Sequence, residues 1–91
     1  MLTLDSKVII PTFVSFSSIK ENTFLLNTST NTYFRLDAVG TRFWELITEG
    51  NSLRNVSRIL EEEFEVEESQ LEQDLFELIT KMLENGLVQL I

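Results

Sequence analysis

The 91-residue sequence has no cysteine and no histidine, one proline and three glycines. Without thiolates or imidazoles, zinc sites of the usual kinds are excluded. Nucleophile–base arrangements that rely on histidine are excluded with them. Neither a G-x-G-x-x-G run nor a Walker loop occurs. Any catalysis would rest on carboxylates, lysine, tyrosine, serine or threonine. The expectation is a protein that is not an enzyme and uses no cofactor or metal. No run of about 18 apolar residues exists, so no transmembrane helix is expected. The opening "MLTLDSKVII" has neither a basic first segment nor a long apolar run, which makes it a poor secretory signal. A cytoplasmic protein without a membrane partner is the default expectation.

Positive charge is scarce as well. Seven Lys and Arg stand against 15 Asp and Glu, a net charge of −8. Ten of the acids lie between Glu61 and Glu84, where Lys81 is the only base. A field of this sign repels a phosphate backbone, so nucleic acid is not an expected partner. It favours a partner that carries basic residues, through steering and orientation. It serves equally to keep a small domain soluble. A hydrophobic share of 43% at this length suits one small globular domain, residues 1–91, with no repeat or linker.

What is present reads as α+β. Residues 1–12 form an extended N-terminal arm in which Pro11 interrupts "VIIPTFVSF", so Lys7 to Ile10 is an edge strand or arm. Antiparallel strands occupy residues 13–36: Phe13 to Phe16, Phe24 to Asn27, and Thr32 to Leu36. "TSTN" from Thr28 to Asn31 supplies the hairpin turn, and Asn31 is best able to take a left-handed conformation there. Three helices fill residues 37–86. Asp37 stands at an N-cap position, and Gly50 ends the first helix. Asn51 or Ser52 caps the second, with Leu53, Val56, Ile59 and Leu60 as its stripe. The third begins near Glu67 or Glu68, and "SQLE" from Ser69 to Glu72 has the form of a capping box. Gly86 suits the left-handed position after it, with Leu87 folding back onto its last turn. Residues 87–91 form an extended apolar tail.

Two features exceed what a core requires. Tyr33 and Phe34 are neighbours on one strand and point to opposite faces, so that strand is apolar on both sides. On the third helix, with Leu71 at zero and about 100° per residue, Leu78, Met82, Leu75, Ile79, Leu83 and Phe76 span about 160°. One surface contact needs roughly 100°. A helix touching both the sheet and its sister helices would account for that width. So would a helix with one margin lining a groove. If strand and helix adjoin, the spare surfaces make a slot for an added strand, with backbone bonds along the edge and side-chain pockets for selectivity.

The segments "FLLNTSTNTYFRLDAVGTRFWELI", "LRNVSRILEEEFEV" and "LEQDLFELITKMLENGLV" together resemble the PqqD-like peptide-chaperone family. The likeness rests on the order of "YFRL", a helix opening near D-x-x-G, "RFW", and the ending from Asp74 through Val88, and it covers about Phe13 to Leu90. Within that family the chain looks most like the stand-alone recognition elements of lasso-peptide biosynthesis. The resemblance implies a three-stranded sheet packed on three helices, related to winged-helix folds. It implies a protein that binds the leader segment of a ribosomal precursor peptide. The leader adds as an antiparallel strand beside the hairpin's last strand, flanked by the third helix. It further implies delivery to a leader-cleaving cysteine protease that works with a macrolactam-forming cyclase.

Carried over by position, the backbone of Thr32, Tyr33, Phe34, Arg35 and Leu36 would pair with the leader. Leu71, Asp74, Leu75 and Leu78 bound one margin of the third helix, and Phe76 and Leu83 the other; Glu72 and Ile79 complete the candidate set on this helix. Which margin faces the peptide stays open at this level. Leaders of this kind commonly carry a Tyr-x-x-Pro element, which suits an apolar pocket, and basic residues, which suit Glu68, Glu72 or Asp74. Trp44 reads as core, and Arg35 and Arg42 as ion-pair partners of the acidic helix. Alternatives are a recognition element serving a radical-SAM enzyme, a cyclodehydratase or the quinone-cofactor pathway, a self-associating subunit, and a winged-helix DNA-binding protein. The acidity of the third helix argues against the last of these.

Overall fold

Three antiparallel strands followed by three helices make up the body of the computed structural model, which describes residues 2–91. In chain order the elements are β1 (Val8–Ile9), β2 (Val14–Ile19), β3 (Asn22–Asn27), β4 (Thr32–Leu36), α1 (Ala38–Thr48), α2 (Leu53–Phe64), α3 (Glu68–Glu84) and β5 (Gln89–Leu90). The main sheet has the order β2-β3-β4. Its strands are longer than the apolar runs suggest, because pairing continues from Val14 opposite Asn27 out to Ile19 opposite Asn22. No Gly or Pro marks that turn. Lys20 itself takes the left-handed conformation at φ 58°, so the usual turn chemistry is missing from the sequence.

The second hairpin closes as its residues suggest. Asn31 has φ 58°, and Asn27 Oδ1 accepts from the main-chain N–H groups of Ser29 at 2.9 Å and Thr30 at 3.3 Å. Thr28 ties the turn back to the start of β2, with its N–H and its hydroxyl both donating to Phe13 O.

Helix ends follow local chemistry. Asp37 caps α1 by accepting from Gly40 N at 2.9 Å, and Gly50 at φ 91° turns the chain out of that helix. Ser52 is the cap of α2, through Asn55 N at 3.1 Å. Asn51 instead donates back to Leu46 O. The capping box expected at Ser69 to Glu72 does not form. The helix starts earlier, at Glu68, so Ser69 is already inside it and its hydroxyl donates to Glu67 Oε1. At the other end Gly86 has φ 68°, its N–H reaches Leu83 O, and Leu87 N donates to Met82 O at 2.9 Å. This is a Schellman closure, and it buries Leu87 completely.

The helices carry the core. Phe43, Trp44, Val56, Leu60, Ile79 and Met82 are essentially inaccessible and meet Leu25 and Leu36 from the inner face of the sheet. Trp44 is core as expected, with Phe16 standing edge-on to it at 5.5 Å. The arm and the tail do something the residue pattern did not show. β1 and β5 pair antiparallel as a separate two-stranded sheet, Val8 opposite Leu90. Two runs that each read as loose extended chain thereby satisfy part of each other's backbone.

Candidate functional site

The strand apolar on both sides, β4, lies at the edge of the main sheet. Its inward residues are the half-buried Phe34 and the buried Leu36, whereas Tyr33 points outward and is 76% exposed. Beyond its pairing with β3, the outer edge of β4 has no strand partner among the described residues. Its alternate N–H and C=O groups are therefore open for pairing.

Two adjoining recesses lie along α3, one against the start of α1 and the end of α2, the other against this edge. The first, about 330 Å³, has a floor of Leu71, Leu75, Leu78, Phe64 and Val66, with Gln70 and Asp74 on its rim. The second, about 360 Å³, is bounded by Phe34, Arg35 and Leu36 on one side and Asp74, Glu77, Leu78 and Lys81 on the other. Asp37, Gly40, Asp74 and Leu78 border both, so the recesses form one groove that is apolar at one end and charged at the other. Gly40 keeps the groove open where α1 begins. A Cβ there would stand 3.1 Å from Leu36 Cβ and 3.2 Å from its Cδ2, so Leu36 or the first turn of α1 would have to shift by a few tenths of an ångström.

The groove takes one margin of α3 and leaves the other out. Leu71, Asp74, Leu75 and Leu78 line it, and of β4 Phe34, Arg35 and Leu36 border its second recess, whereas Thr32 and Tyr33 border neither. Leu71 and Leu75 are each 3% exposed and make a floor, while the half-buried Leu78 has atoms free to meet a ligand. Glu72 and Phe76 lie on the far margin and border neither recess, and Ile79 is 1% exposed within the core. Residue patterns did not single out Val39, Phe64, Val66, Gln70, Glu77 or Lys81. The first three come from the start of α1 and from the end of α2 and the connection after it, so their place at the groove depends on tertiary packing. Gln70, Glu77 and Lys81 share the Asp74 side of α3, and the helical angle alone could have found them.

Electrostatics differ from expectation in one respect. Arg42 binds Glu63 at 2.9 Å and Glu45 at 3.2 Å, both outside α3. The direct hydrogen bond from Arg42 holds the Glu63 carboxyl below the usual carboxylate range, and Glu63 in turn raises the guanidinium. Arg42 belongs to α1, and the bond to Glu63 fastens it to the end of α2. Arg35 makes no ion pair among the described residues and borders the charged end of the groove. On the reverse face of the sheet, Tyr33 stands opposite Leu26, with Phe24 40% and Ile19 60% exposed nearby. That face is an apolar patch interrupted by Ser15 and Ser17.

Among the described residues no helix is long and apolar enough to cross a membrane, and no group of side chains is arranged to hold a metal ion. A search of curated protein sequences gives no match. Solved structures match closely over almost the whole chain. One is TbiB1 in complex with the TbiA(beta) leader peptide, at 31% identity and TM-score 0.83, covering 88% of this chain and 93% of that one. Another is a lasso peptide synthetase B1 complexed with its leader peptide, 24% identical, with TM-score 0.82 and coverage of 91% and 98%. At that identity the second speaks for the fold alone. The family model described as coenzyme PQQ synthesis protein D (PqqD) matches residues 22–88, which include the hairpin, all three helices and both walls of the groove. The chain belongs to the PqqD family.

Proposed function

We propose that this protein is a non-catalytic recognition element that binds the leader segment of a ribosomal precursor peptide in lasso-peptide biosynthesis. The leader adds to the free edge of β4, lies against α3, and is delivered in that state to a leader-cleaving protease. The observation that carries this reading is the unpaired β4 edge bordering a recess that opens into an apolar one on α3. It is supported by the 31% identity to a protein solved with a leader peptide.

The groove also favours a direction. The Thr32 end of β4 lies next to Asn27, which contacts Asn85 and Gly86 at the end of α3, while the Leu36 end faces Asp74 and Leu78. β4 therefore runs against α3. A peptide antiparallel to β4 travels with α3, entering at the apolar recess and leaving past Lys81. An apolar or aromatic side chain near the start of the bound segment would fill the recess.

The energetics assign the affinity to those anchors. About four or five strand-pairing bonds at roughly 1 kcal/mol each are largely offset by ordering the peptide. Two or three buried side chains, each costing about 2 kcal/mol or more on truncation, therefore carry most of the affinity. The exposed patch of Phe24, Leu26 and Tyr33 lies on the opposite face of the sheet, away from the groove. It stays open when a leader is bound and is the natural surface for the protease.

The direct test is a fluorescence-polarisation titration with a labelled leader from the precursor encoded beside this protein, and with Tyr→Ala and Pro→Ala versions of that leader. Saturable binding at micromolar concentration or tighter, weakened by both changes, is the expected result. No binding by a folded sample would refute the reading and direct attention to the precursors of other peptide-modifying enzymes.

A further inference from the structure

The ladder of the main sheet fixes which main-chain groups of β4 are free. In an antiparallel pair, opposed residues alternate between those that exchange both main-chain bonds and those that exchange none, and the N–H and C=O of one residue point to the same side of its strand. Thr28 N donates to Phe13 O at 3.0 Å. Phe13 and Thr28 stand one step beyond Val14 and Asn27 in the β2–β3 register, so they mark a bonding pair. Ser15 with Leu26, Ser17 with Phe24 and Ile19 with Asn22 follow it by alternation. Val14 agrees, since its N–H turns away to Pro11 O at 3.1 Å. Leu26 and Phe24 therefore direct their main-chain groups to β2. Asn27, Leu25 and Thr23 direct theirs to β4, where they meet Thr32, Phe34 and Leu36. Tyr33 and Arg35 are left. Their N–H and C=O groups point to the open edge, and among the described residues no turn or loop main chain bonds them.

Side chains divide the other way. Phe34 and Leu36, whose main chains are bonded to β3, turn inward and border the second recess. Tyr33 and Arg35, opposite Leu26 and Phe24, turn to the reverse face. Directly opposed residues of neighbouring strands share a face, so the same division passes to a peptide added at this edge.

We infer that the edge of β4 selects its peptide by main-chain chemistry, through Tyr33 and Arg35, in a strict alternation. This rests on the strand-addition reading above and names the class of segment that the edge takes. Two leader residues two positions apart, opposite Arg35 and then Tyr33, exchange about four hydrogen bonds with β4. Each needs a free N–H, which proline lacks, and its side chain lies on the reverse face, outside the groove. The leader residues opposite Leu36, Phe34 and Thr32 face the groove, and their N–H groups point to solvent along the new edge. Those positions suit apolar anchors, and within the paired stretch they are where proline fits. Proline there also closes the new edge against further pairing. The segment is thus an alternation of groove-facing residues, proline included, with non-proline residues between them.

The test is a scan of the labelled leader in which one residue at a time is N-methylated and the peptide is titrated against the wild-type protein. N-methylation removes a main-chain donor and keeps the side chain. Affinity should fall by roughly tenfold or more at two positions two apart, where a paired donor is lost and the methyl group meets β4. It should stay within about threefold at the position between them and at the positions on either side. Amide exchange with the unmodified leader supplies the protein's half of the pattern. Leader binding should slow the amides of Tyr33 and Arg35, whereas those of Thr32, Phe34 and Leu36 are slow already in the free protein. Equal losses at adjacent leader positions, or new protection at Phe34 in place of Tyr33 and Arg35, overturns the alternation while leaving leader binding at β4 intact. Saturating unmodified leader with no added protection anywhere in β4 removes the strand-addition reading, and the alternation with it.

Discussion

Asn27 Nδ2 donates to the main-chain oxygens of Asn85 at 3.0 Å and Gly86 at 3.3 Å, joining the end of β3 to the end of α3 across 58 and 59 residues of sequence. The other atom of the same amide, Oδ1, holds the turn that leads into β4. One side chain, 2% exposed, thus fixes both walls of the groove relative to each other. The fit is close. A Cβ on Gly86 would come within 2.7 Å of Asn27 Nδ2, and the backbone there has φ 68°.

Gly86→Ala should therefore be destabilising by about 1–3 kcal/mol, from left-handed strain and the forced shift of Asn27. Asn27→Ala should cost about 1–3 kcal/mol, because two half-buried carbonyls lose their donor and two turn amides their acceptor. Urea unfolding measures both, and both variants should bind the leader more weakly than an equally destabilised core variant. Matching affinities would show that this link does not position the groove.

The two margins of α3 separate cleanly by mutation. Leu78 borders both recesses and is half-buried, whereas Phe76 borders neither. Leu78→Ala should weaken leader binding by roughly tenfold or more, the loss of one buried anchor. Phe76→Ala and Glu72→Ala should leave it within about twofold, as expected for residues outside the contact. Ile79→Ala, at a position 1% exposed, should instead cost about 2–4 kcal/mol of stability as a core cavity. Calorimetric titration beside thermal melts distinguishes the two kinds of loss.

The reverse face of the sheet offers a separate test. Replacing Tyr33 and Phe24 with Ser removes exposed apolar surface at positions 76% and 40% accessible. Leader affinity should be kept, because the side chains point away from the groove. Cleavage of the leader by the partner protease should slow, as seen in a time course at fixed protease. Unchanged cleavage would place the protease elsewhere on the domain.

Much of this arrangement was legible in the residues, and the reasons are local. Asp37, Asn31 and Gly86 each perform a backbone task that few residue types perform well, so single letters sufficed to place a cap, a turn and a helix end. Lys20 shows the limit, since a lysine at positive φ carries no such signal. The wide apolar arc of α3 fitted either core contacts on two sides or a groove on one margin. Which margin borders a groove depends on where β4 and the end of α2 meet the helix, through contacts far apart in sequence. The β1–β5 pairing was hidden for the same reason, because two residues per strand make no pattern.

Acid should act on the bond between α1 and α2. Glu63, hydrogen-bonded by Arg42, titrates below the usual carboxylate range. A carboxyl depressed in the folded state contributes stability that is complete above its unfolded pKa. That contribution is lost as pH falls through the lowered folded value. NMR titration of the Glu63 carboxyl should show the low value, and Arg42→Ala should return it to the ordinary range. The exposed pair makes the stability change small. An ordinary Glu63 titration in the wild type would mean that the pair does not persist in solution.

Amide hydrogen exchange across β4, with and without the leader peptide, tests strand addition most directly. Alternate N–H groups of Thr32 to Leu36 face no strand in the free protein and should exchange quickly. On leader binding they should slow by several orders of magnitude, while amides on the far margin of α3 around Phe76 stay as they were. Saturating leader with no added protection anywhere in β4 would contradict strand addition, whatever the affinity.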